Sequence, residues 1–436
     1  MVDRREFLKR AGLLAVAAPL SGCAQTPPVR SAASPAVADA SGPAALVPSD
    51  WQRLREEFSL DFSYSHFAGF LLACHPRIVL EDIEHHRRAL QQNPVLCLLN
   101  TEEREEDVRA AAGAYLQVEK AQVALTGSTT MGLGLVYNGL ALRPGQEVLT
   151  SIHDHYATKE ALSFRAAKDG VKINTIRLFD NPQTMTVDEV LHNVESNIRD
   201  ATRVAAFTWV HSGSGVKLPI GQIGQLIERV NQSRAEADHI IFVVDGVHGL
   251  GVENTTFAEL HCDFFVAGTH KWLFGPRGTG IICSRTPHMR HLTPTVASFS
   301  SYDNFGTTMT PGGFHAFEHQ WAVRRAFEFH ASLGKAAVTE RIHQLNSYLK
   351  TRLRETRGVE LVTPVSTELS AGFTFFRVGQ IDPGIVSELM LEQRVITSEA
   401  DRDVGPVVRM APGLLNNEAE IDHAVALVAE AYKRFG

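Results

Sequence analysis

Short apolar runs alternate with amphipathic stretches through the middle of the chain. The runs are rich in Val, Ile, Phe and Ala and have the length of buried strands. They occupy residues 123–126, 147–150, 171–176, 204–210, 240–244 and 264–267. Helical patterns, such as that of residues 220–237, lie between most of them. Strand and helix in alternation predict an α/β fold with a doubly wound, mainly parallel sheet that is buried on both faces.

The pattern changes near residue 313. A helical stretch runs from 315 to about 354, strand patterns follow at 361–362, 372–378 and 407–410, and a last helix begins at 418. This order predicts a smaller C-terminal α+β domain. We therefore expect a large domain at 65–313, with a further strand at 280–283, and a small domain at 314–436, against which residues 50–64 pack.

The N-terminus has the pattern of an export signal. Arg4 and Arg5 stand in a charged segment, and the apolar stretch 11–20 is too short to span a bilayer stably. This resembles a twin-arginine (Tat) signal and implies export to the periplasm through the Tat translocon. Residues 20–23 also resemble a bacterial lipobox, in which Cys23 becomes lipidated; the alternative is ordinary cleavage with loss of Cys23. We interpret residues 1–23 as the signal and 24–49, rich in Ala, Pro and Ser, as a disordered tether.

Composition disfavours two classes of function. A net charge of −7 and a pI near 6.3 give no basic footprint for nucleic acid. After the first two dozen residues, no stretch is long and apolar enough for a transmembrane helix. The cysteines outside the signal form no CxxC pair and have no zinc-like spacing, so we expect buried thiols and no metal site. They are Cys74, Cys97, Cys262 and Cys283.

Lys271 and Asp245 are the first candidates for chemistry. Each follows an apolar run, and Asp245 precedes Lys271 by 26 residues. An amine among apolar neighbours has a lowered pKa and is a nucleophile for aldehydes. A carboxylate can keep a pyridine nitrogen protonated, and the two together suit a pyridoxal 5′-phosphate (PLP) enzyme. Taken singly, each is more simply explained as an exposed lysine or a polar residue at a strand end.

A second candidate is the turn formed by Gly127, Ser128, Thr129 and Thr130. It lies between a predicted strand and a predicted helix, where backbone N–H groups and hydroxyls can bind a phosphate. Ser128 or Thr129 could instead serve only as a helix cap. The glycines at 132 and 134 lack the third glycine of the dinucleotide fingerprint, which disfavours a nicotinamide cofactor. Residues 211–215 lack the GxSxG elbow of a serine nucleophile.

The order of these motifs resembles the class V aminotransferase family, of PLP fold type I. The shared features are the phosphate turn, a His after the next strand, Asp245-Gly-x-His248, His270-Lys271, a Gly-Pro-x-Gly-x-Gly segment and a late Arg409. The similarity covers residues 65–433. It implies a PLP cofactor and a seven-stranded sheet in which strand 280–283 is antiparallel. Because active sites of the family lie at the subunit interface, it also implies a homodimer.

The resemblance implies a role for each motif residue. Lys271 would hold PLP as an imine and move the substrate Cα proton, Asp245 would pair with the pyridine nitrogen, and His155 would stack on the ring. His248 would lie near the ring 3-oxygen with Ser214 beside it, and Arg409 would grip a substrate carboxylate. The other cofactor-binding candidates are Gly127, Ser128, Thr129, Thr130, Thr269 and His270.

Two positions depart from the family pattern. Gly268 stands where the family often has a Ser or Asn that binds the phosphate, and Thr269 is the neighbour that could compensate. Gly312-Gly313 stands where the family often has Gly-Thr, so the contact of a second subunit with the phosphate stays open.

The export signal narrows the choice among reactions of the family more than the predicted site residues do. The family includes aminotransferases, lyases, cysteine desulfurases, which need a mobile Cys in the small domain, and epimerases such as isopenicillin N epimerase. This chain has no Cys after Cys283, and residues 397–407, where that Cys would lie, have no assigned role. The twin-arginine route carries folded proteins, and this signal makes the chain similar to exported members that tailor pyoverdine siderophores.

We therefore expect a periplasmic, aminotransferase-like PLP enzyme that acts at the amino-bearing carbon of an amino-acid or peptide-like metabolite. The specific expectation is the glutamate side chain of a pyoverdine. An epimerase of the isopenicillin N type is the first alternative. A non-catalytic binding protein on the same fold is the second.

Overall fold

A seven-stranded sheet forms the centre of the part of the chain that the computed structural model describes, residues 51–436. Its order is β2-β8-β7-β6-β5-β3-β4, and β8 alone runs antiparallel to its neighbours. This confirms the α/β fold with a mainly parallel sheet and an antiparallel seventh strand. The strands are β2 (Val123–Thr126), β3 (Glu147–Ser151), β4 (Lys172–Ile176), β5 (Thr202–Thr208), β6 (Ile241–Asp245), β7 (Phe264–Gly268) and β8 (Gly280–Ser284).

The sheet is buried on both faces, as its apolar sequence predicts. Every residue of β2, β3, β5, β6, β7 and β8 is buried, whereas the edge strand β4 is largely accessible. The crossover helices α5 (Thr129–Gly139) and α6 (Tyr156–Asp169) carry apolar residues into one core with strand residues such as Val148, Val204 and Val243. The crossover helices α7 (Val187–Ser196) and α8 (Ile220–Asn231) also bury apolar residues, which lie outside that cluster.

A four-stranded antiparallel sheet lies in the C-terminal part, in the order β12-β13-β10-β9. Its strands are β9 (Val359–Leu361), β10 (Thr374–Val378), β12 (Ser398–Arg402) and β13 (Gly405–Met410). The helices α11 (Lys335–Glu355), α12 (Pro383–Glu392) and α13 (Glu418–Phe435) contribute to its apolar core. This combination of helices and an antiparallel sheet is the α+β architecture expected for residues 314–436.

Residues 51–116 connect the two sheets. A short parallel pair joins β1 (Ser65–His66) to β11 (Val395–Ile396), Phe67 is part of the small core, and Arg55 pairs with Glu420 at 2.8 Å. The segment before residue 65 contacts α13 through Arg55, and its Phe58 packs on Phe274 and Phe329. The remaining helices are α1 (Trp51–Leu54), α2 (Arg77–Gln92), α3 (Pro94–Leu99), α4 (Thr101–Leu116), α9 (Phe305–Met309) and α10 (Phe317–Ser332).

Two predicted helices were wrong in their extent, and one strand was missed. The helix expected at 315–354 is two helices, because the chain turns at Gly334, which has a φ of 81°. The helix expected at 220–237 ends at Asn231, whose side chain bonds the backbone N–H and C=O of Ile240 and turns the chain into β6. The strand β12 was not predicted at all.

The predicted signal (1–23), the tether (24–49) and the lipidation site Cys23 lie outside the described residues. In the part that the structure describes, no helix is long and apolar enough to cross a membrane. Cys97, Cys262 and Cys283 are buried, Cys74 is half-buried, and all four are free thiols.

Candidate active site

The predicted site residues converge on a cavity of about 280 Å³ at the carboxyl edge of the large sheet. Loops that follow β2, β3, β5, β6 and β7 form most of its wall, and the β12–β13 hairpin forms the rest. Parallel sheets bind ligands at this edge. A larger cavity of about 430 Å³ lies at the opposite edge and contains none of the predicted residues. The polar lining residues are Ser128, Thr129, Thr130, His155, Thr208, Ser212, Asp245, His248, His270, Lys271, Arg402 and Arg409.

Lys271 presents its amine to His248. The Nζ atom lies 3.1 Å from His248 Nε2, and Trp272 Nε1 donates to His248 Nδ1 at 3.4 Å. An indole N–H can only donate, so His248 Nδ1 is an acceptor and the ring proton sits on Nε2. That proton points at Lys271, which can accept it only as a neutral amine.

The surroundings of Lys271 favour the same neutral form. Burial lowers the pKa of Lys271 to about 8, with Arg409 and Arg402 contributing in the same direction and Asp245 opposing them. Burial also holds the pKa of His248 well below its ordinary value, so that ring stays neutral. A neutral amine in a cavity is a nucleophile for an aldehyde.

Asp245 is a buried carboxylate on the cavity wall. It ends β6, and its Oδ1 accepts one hydrogen bond from the backbone N–H of Val247 at 3.2 Å. Burial raises the pKa of Asp245, which means that the carboxylate is short of compensating charge. A cationic ring nitrogen placed here would supply that charge.

The N-terminus of α5 forms the cradle expected for a phosphate. Ser128 is the N-cap and accepts from the backbone N–H of Met131 at 3.1 Å, and Thr129 Oγ1 accepts from Gly268 N at 2.7 Å. His270 Nδ1 is buried and has no hydrogen-bond partner among the described residues. A buried polar atom without a partner is costly, so an anion here would satisfy it.

The structure explains the glycine at 268. A Cβ atom there would lie 3.0 Å from Thr129 Oγ1 and 2.9 Å from His270 Cε1, so these two side chains occupy the space that a Ser or Asn would need. Thr269 does not compensate, because its hydroxyl bonds Thr279 and it is not among the residues that line the cavity.

His155 and Arg409 line the cavity from two other elements. His155 caps α6 through Nδ1, which accepts from Ala157 N at 3.2 Å, and burial with nearby Arg402 and Lys271 lowers the pKa of His155 to about 4. Arg409, on β13, donates to Ser398 Oγ and to the carbonyl of Ser212, which leaves part of its guanidinium for a ligand.

Two predicted cofactor residues are not brought to the cavity wall. Ser214 is fully buried and its Oγ accepts from Val216 N, while Ser212 lines the cavity in its place. Gly127 shapes the turn before α5 without lining the cavity. With Thr269, these are the three predicted cofactor-binding residues that do not line the cavity.

Four residues of the site were missed by the sequence reasoning. Asp154 is buried and accepts from Thr208 N at 2.6 Å and from the hydroxyl and N–H of Ser151, so it ties β3 to β5 beneath the cavity. Thr208 Oγ1 faces the site without a partner among the described residues. Ser212 and Arg402 complete the wall. Only Asp154 and Thr208 had a local signal, as polar residues at the ends of apolar runs.

The residues present fit PLP. The cradle at Ser128 and Thr129 with the unpartnered His270 suits a phosphate, Asp245 suits a pyridinium nitrogen, and the neutral Lys271 suits an aldehyde. Within residues 51–436, no three His, Cys, Asp or Glu side chains are grouped as metal ligands.

The chain is similar in sequence to proteins of one family. The family model Aminotransferase class-V matches residues 76–411. Isopenicillin N epimerase of Streptomyces clavuligerus is 26% identical over 405 residues, which cover 86% of this chain and 96% of that protein. A probable cysteine desulfurase of Xylella fastidiosa strain Temecula1 is 26% identical over 334 residues, or 72% of this chain and 77% of that protein.

The fold is shared with solved structures. A C-DES mutant with glycine covalently linked to its PLP cofactor superposes with a TM-score of 0.77 at 19% identity, covering 86% of this chain and 99% of that one. The apo cysteine desulfurase from Thermococcus onnurineus NA1 gives 0.75 at 17% identity, covering 88% and 98%. The predicted PLP fold type I is thereby confirmed.

Proposed function

Since the chain belongs to the class V aminotransferase family and is a PLP-dependent enzyme, we propose that it works in the periplasm on a small amino compound. The reaction takes place at the amino-bearing carbon of an amino-acid or peptide-like metabolite, and the specific substrate is the glutamate side chain of a pyoverdine siderophore. The observation that carries the proposal is the Lys271 amine, which has a lowered pKa and contacts His248, in a cavity that also contains Asp245 and Arg409.

Each residue has a defined task in this reaction. PLP, when bound, supplies an electron-withdrawing ring that stabilises negative charge at the substrate's amino-bearing carbon. Asp245 holds the ring nitrogen in its protonated form, and Arg409 orients the substrate carboxylate through a charge-assisted hydrogen bond. Lys271 Nζ takes a proton from the substrate carbon and holds it for the next transfer, and His248 Nε2–H keeps that amine directed at the cavity.

Desulfuration has little support in the site, although several relatives bear that name. Cys74 is the one described cysteine that is not buried, and burial by its neighbours raises the pKa of its thiol to about 11. The hairpin β12–β13 contributes Arg402 and Arg409 to the cavity and contains no Cys. A non-catalytic binding protein is also disfavoured, because Lys271 and Asp245 are both placed for chemistry.

An epimerase is the second candidate. The isopenicillin N epimerase of Streptomyces clavuligerus matches this chain over 96% of its own length, which favours a reaction that returns the proton without releasing the amine. In D₂O, an epimerase would place deuterium at the substrate carbon and leave the amine in place. Loss of the amine with formation of a carbonyl product would instead identify an aminotransferase-like reaction.

The substrate is tested with the purified holoenzyme and a glutamate-bearing pyoverdine precursor. We expect a change in the precursor's mass that localises to the glutamate, and no change with the Lys271→Ala variant. A precursor that leaves the reaction with unchanged mass and unchanged glutamate stereochemistry would contradict the proposed substrate.

Export and anchoring are part of the proposal and rest on sequence alone. The twin arginines Arg4 and Arg5 direct the folded protein to the Tat translocon, and Cys23 carries a lipid that holds it to the membrane. Fractionation of cells that produce the full chain tests both steps. Arg4→Lys with Arg5→Lys should retain the protein in the cytoplasm, and Cys23→Ser should move it from membrane to soluble periplasmic fractions.

A further inference from the structure

We propose that Arg402 is a second carboxylate-binding residue of the active site, so that the preferred substrate carries a free carboxylate beyond the one bound by Arg409. The inference rests on the proposed function, since it specifies the substrate class of the same cavity. It also assigns a role to residues 397–407, which had none from the sequence.

Arg402 and Arg409 meet at one residue, Ser212. Arg402 Nη1 donates to Ser212 Oγ at 2.9 Å, and Arg409 Nη1 donates to the carbonyl oxygen of Ser212 at 3.2 Å. Both guanidiniums line the cavity that contains Lys271. Two cations are therefore held side by side at the substrate end of the cavity.

The cavity does not neutralise these two charges. Among residues 51–436, neither Arg402 nor Arg409 forms an ion pair with a carboxylate, and the one acid on the cavity wall is Asp245. Burial lowers the pKa of Arg409 to about 10, with Arg402 acting in the same direction, and burial likewise lowers the pKa of Arg402. Glu399 opposes the shift at Arg409, and Tyr156 and Asp403 oppose it at Arg402, but neither carboxylate forms an ion pair with either guanidinium among the described residues.

The charge balance points to a dianionic substrate. Asp245 is committed to the ring nitrogen, and the phosphate cradle lies at the N-terminus of α5, next to Gly268. One substrate carboxylate can satisfy Arg409 with a two-pronged hydrogen bond. A second carboxylate can pair in the same way with Arg402, which is half-buried and whose side chain bonds only Ser212 among the described residues.

A buried contact between the two sheets fixes Arg402 in place. The next residue, Asp403, accepts from His153 Nδ1 at 2.6 Å, and the two side chains are 6% and 3% exposed. His153 Nε2 accepts from Leu178 N, and its ring stacks on Phe179 at 4.0 Å, so its orientation is determined on three sides. Asp403 is accordingly a positioning residue that holds the hairpin tip over the cavity.

The hairpin tip fits against a glycine. A Cβ atom at Gly213 would lie 2.5 Å from Asp403 Oδ1 and 3.3 Å from Arg402 Cβ. The loop after β5 therefore gives both residues room that a side chain would take away. The guanidinium of Arg402 is therefore held toward the ligand by its neighbours His153, Gly213 and Asp403.

The test measures binding of two probes to the holoenzyme by calorimetry. Glutarate carries two carboxylates, and pentanoate has the same five carbons with one. We expect the wild-type protein to bind glutarate about tenfold or more tightly than pentanoate, the size of one charge-assisted hydrogen bond. In Arg402→Gln that preference should disappear while pentanoate binding changes less than about twofold.

Control variants separate recognition from folding. Arg409→Gln should weaken both probes, Arg402→Lys should recover part of the preference, and Asp403→Asn should lower glutarate binding selectively. Equal affinity of the wild type for the two probes would overturn the proposal. So would an equal loss of both probes in Arg402→Gln, because that would mark Arg402 as a structural contact.

Binding of the probes requires no catalytic turnover. The proposed function and the role of Arg402 can therefore be contradicted independently of each other. A protein that prefers glutarate but leaves the pyoverdine precursor unchanged keeps this inference and loses the proposed substrate. A protein that modifies the precursor but does not distinguish glutarate from pentanoate keeps the function and loses the role of Arg402.

Discussion

Among single residues, Lys271 differs from an ordinary lysine in the direction of its hydrogen bond. His248 Nε2–H points at Nζ because Trp272 occupies the other ring nitrogen, so the amine is an acceptor. An ammonium could not fill that position. The lowered pKa shifts the amine toward the neutral state that this hydrogen-bond pattern requires, and that state predominates above about pH 8.

The first prediction concerns the pH at which the apoprotein captures PLP. Only the neutral amine attacks the aldehyde, so the capture rate should rise with pH and level off above about 8, below the ordinary lysine value of 10.5. Stopped-flow absorbance of apoprotein mixed with PLP measures this rate. Lys271→Ala should show no imine band, and a wild-type midpoint near 10 would contradict the prediction.

The second prediction concerns Asp245. Asn in its place keeps the size of the side chain but removes the charge that keeps the ring nitrogen protonated, so kcat should fall about 100-fold or more. PLP should remain bound through Lys271, which the absorbance band of the purified protein will show. Asp180→Asn, at an exposed carboxylate away from the cavity, is the control and should leave kcat unchanged. Full activity of Asp245→Asn would exclude the proposed role.

The sequence predicted the residues that stand directly after apolar strands. Lys271, Asp245 and the Ser128–Thr129 turn have this local signal, and parallel strands bring their carboxyl ends to one edge. Arg402 and Asp403 have none, because their partners Ser212 and His153 are 190 and 250 residues away along the chain. Their contribution depends on how the small sheet sits beside the large one, which local patterns do not encode.

At the level of elements, buried strands were predictable and polar ones were not. Six of the seven strands of the large sheet are buried along their whole length and coincide with apolar runs, since burial on both faces demands them, whereas the edge strand β4 is largely accessible. The strand β12 reads Ser-Glu-Ala-Asp-Arg and alternates between exposed and partly buried positions. It is a strand because β13 pairs with it from Ser398 to Arg402, a tertiary cause that overrides its weak intrinsic propensity.

The third prediction concerns two glycines of α5 that look equivalent in sequence. A Cβ atom at Gly132 would lie 2.6 Å from Val266 Cγ1 in the core, whereas one at Gly134 meets nothing within 4 Å. Gly132→Ala should therefore lower the free energy of unfolding by about 1–3 kcal/mol through overpacking. Gly134→Ala should raise it by about 0.5–1 kcal/mol, because alanine restricts the unfolded chain.

Urea unfolding of the apoproteins measures these changes, and PLP titration adds a functional readout. Because α5 carries the phosphate cradle at its N-terminus, displacement of the helix in Gly132→Ala should also weaken PLP binding. Gly134→Ala should bind PLP as the wild type does. If Gly132→Ala proved as stable as Gly134→Ala, the close packing of α5 on β7 would not be the reason for the glycine.

At the scale of the whole molecule, one apolar surface suggests where a second subunit binds. Phe314 is 77% exposed, and its ring lies 6.1 Å from Phe299, which is 46% exposed. On the other side, Phe314 contacts Phe317, which packs against α3. That helix exposes Val95, Leu96 and Leu99. Phe299 and Phe314, whose rings are in contact, form the Phe314 patch, and exposed apolar patches mark association sites.

The fourth prediction is that the protein is a homodimer through the Phe314 patch. Sedimentation should give twice the mass of one chain, which is 47.9 kDa for the full sequence.

Phe314→Glu buries a charge at the interface of both subunits, so it should raise the dissociation constant at least about 30-fold, the cost of losing one interface hot spot. Leu391→Glu, at an equally apolar and 53% exposed position on α12, is the matched control and should leave the dimer intact. If the active site lies at the subunit interface, as the resemblance to the family implies, monomeric Phe314→Glu should also lose PLP faster than the wild type. A monomeric wild type, or a dimer that tolerates Phe314→Glu as well as it tolerates Leu391→Glu, would place the interface elsewhere or nowhere.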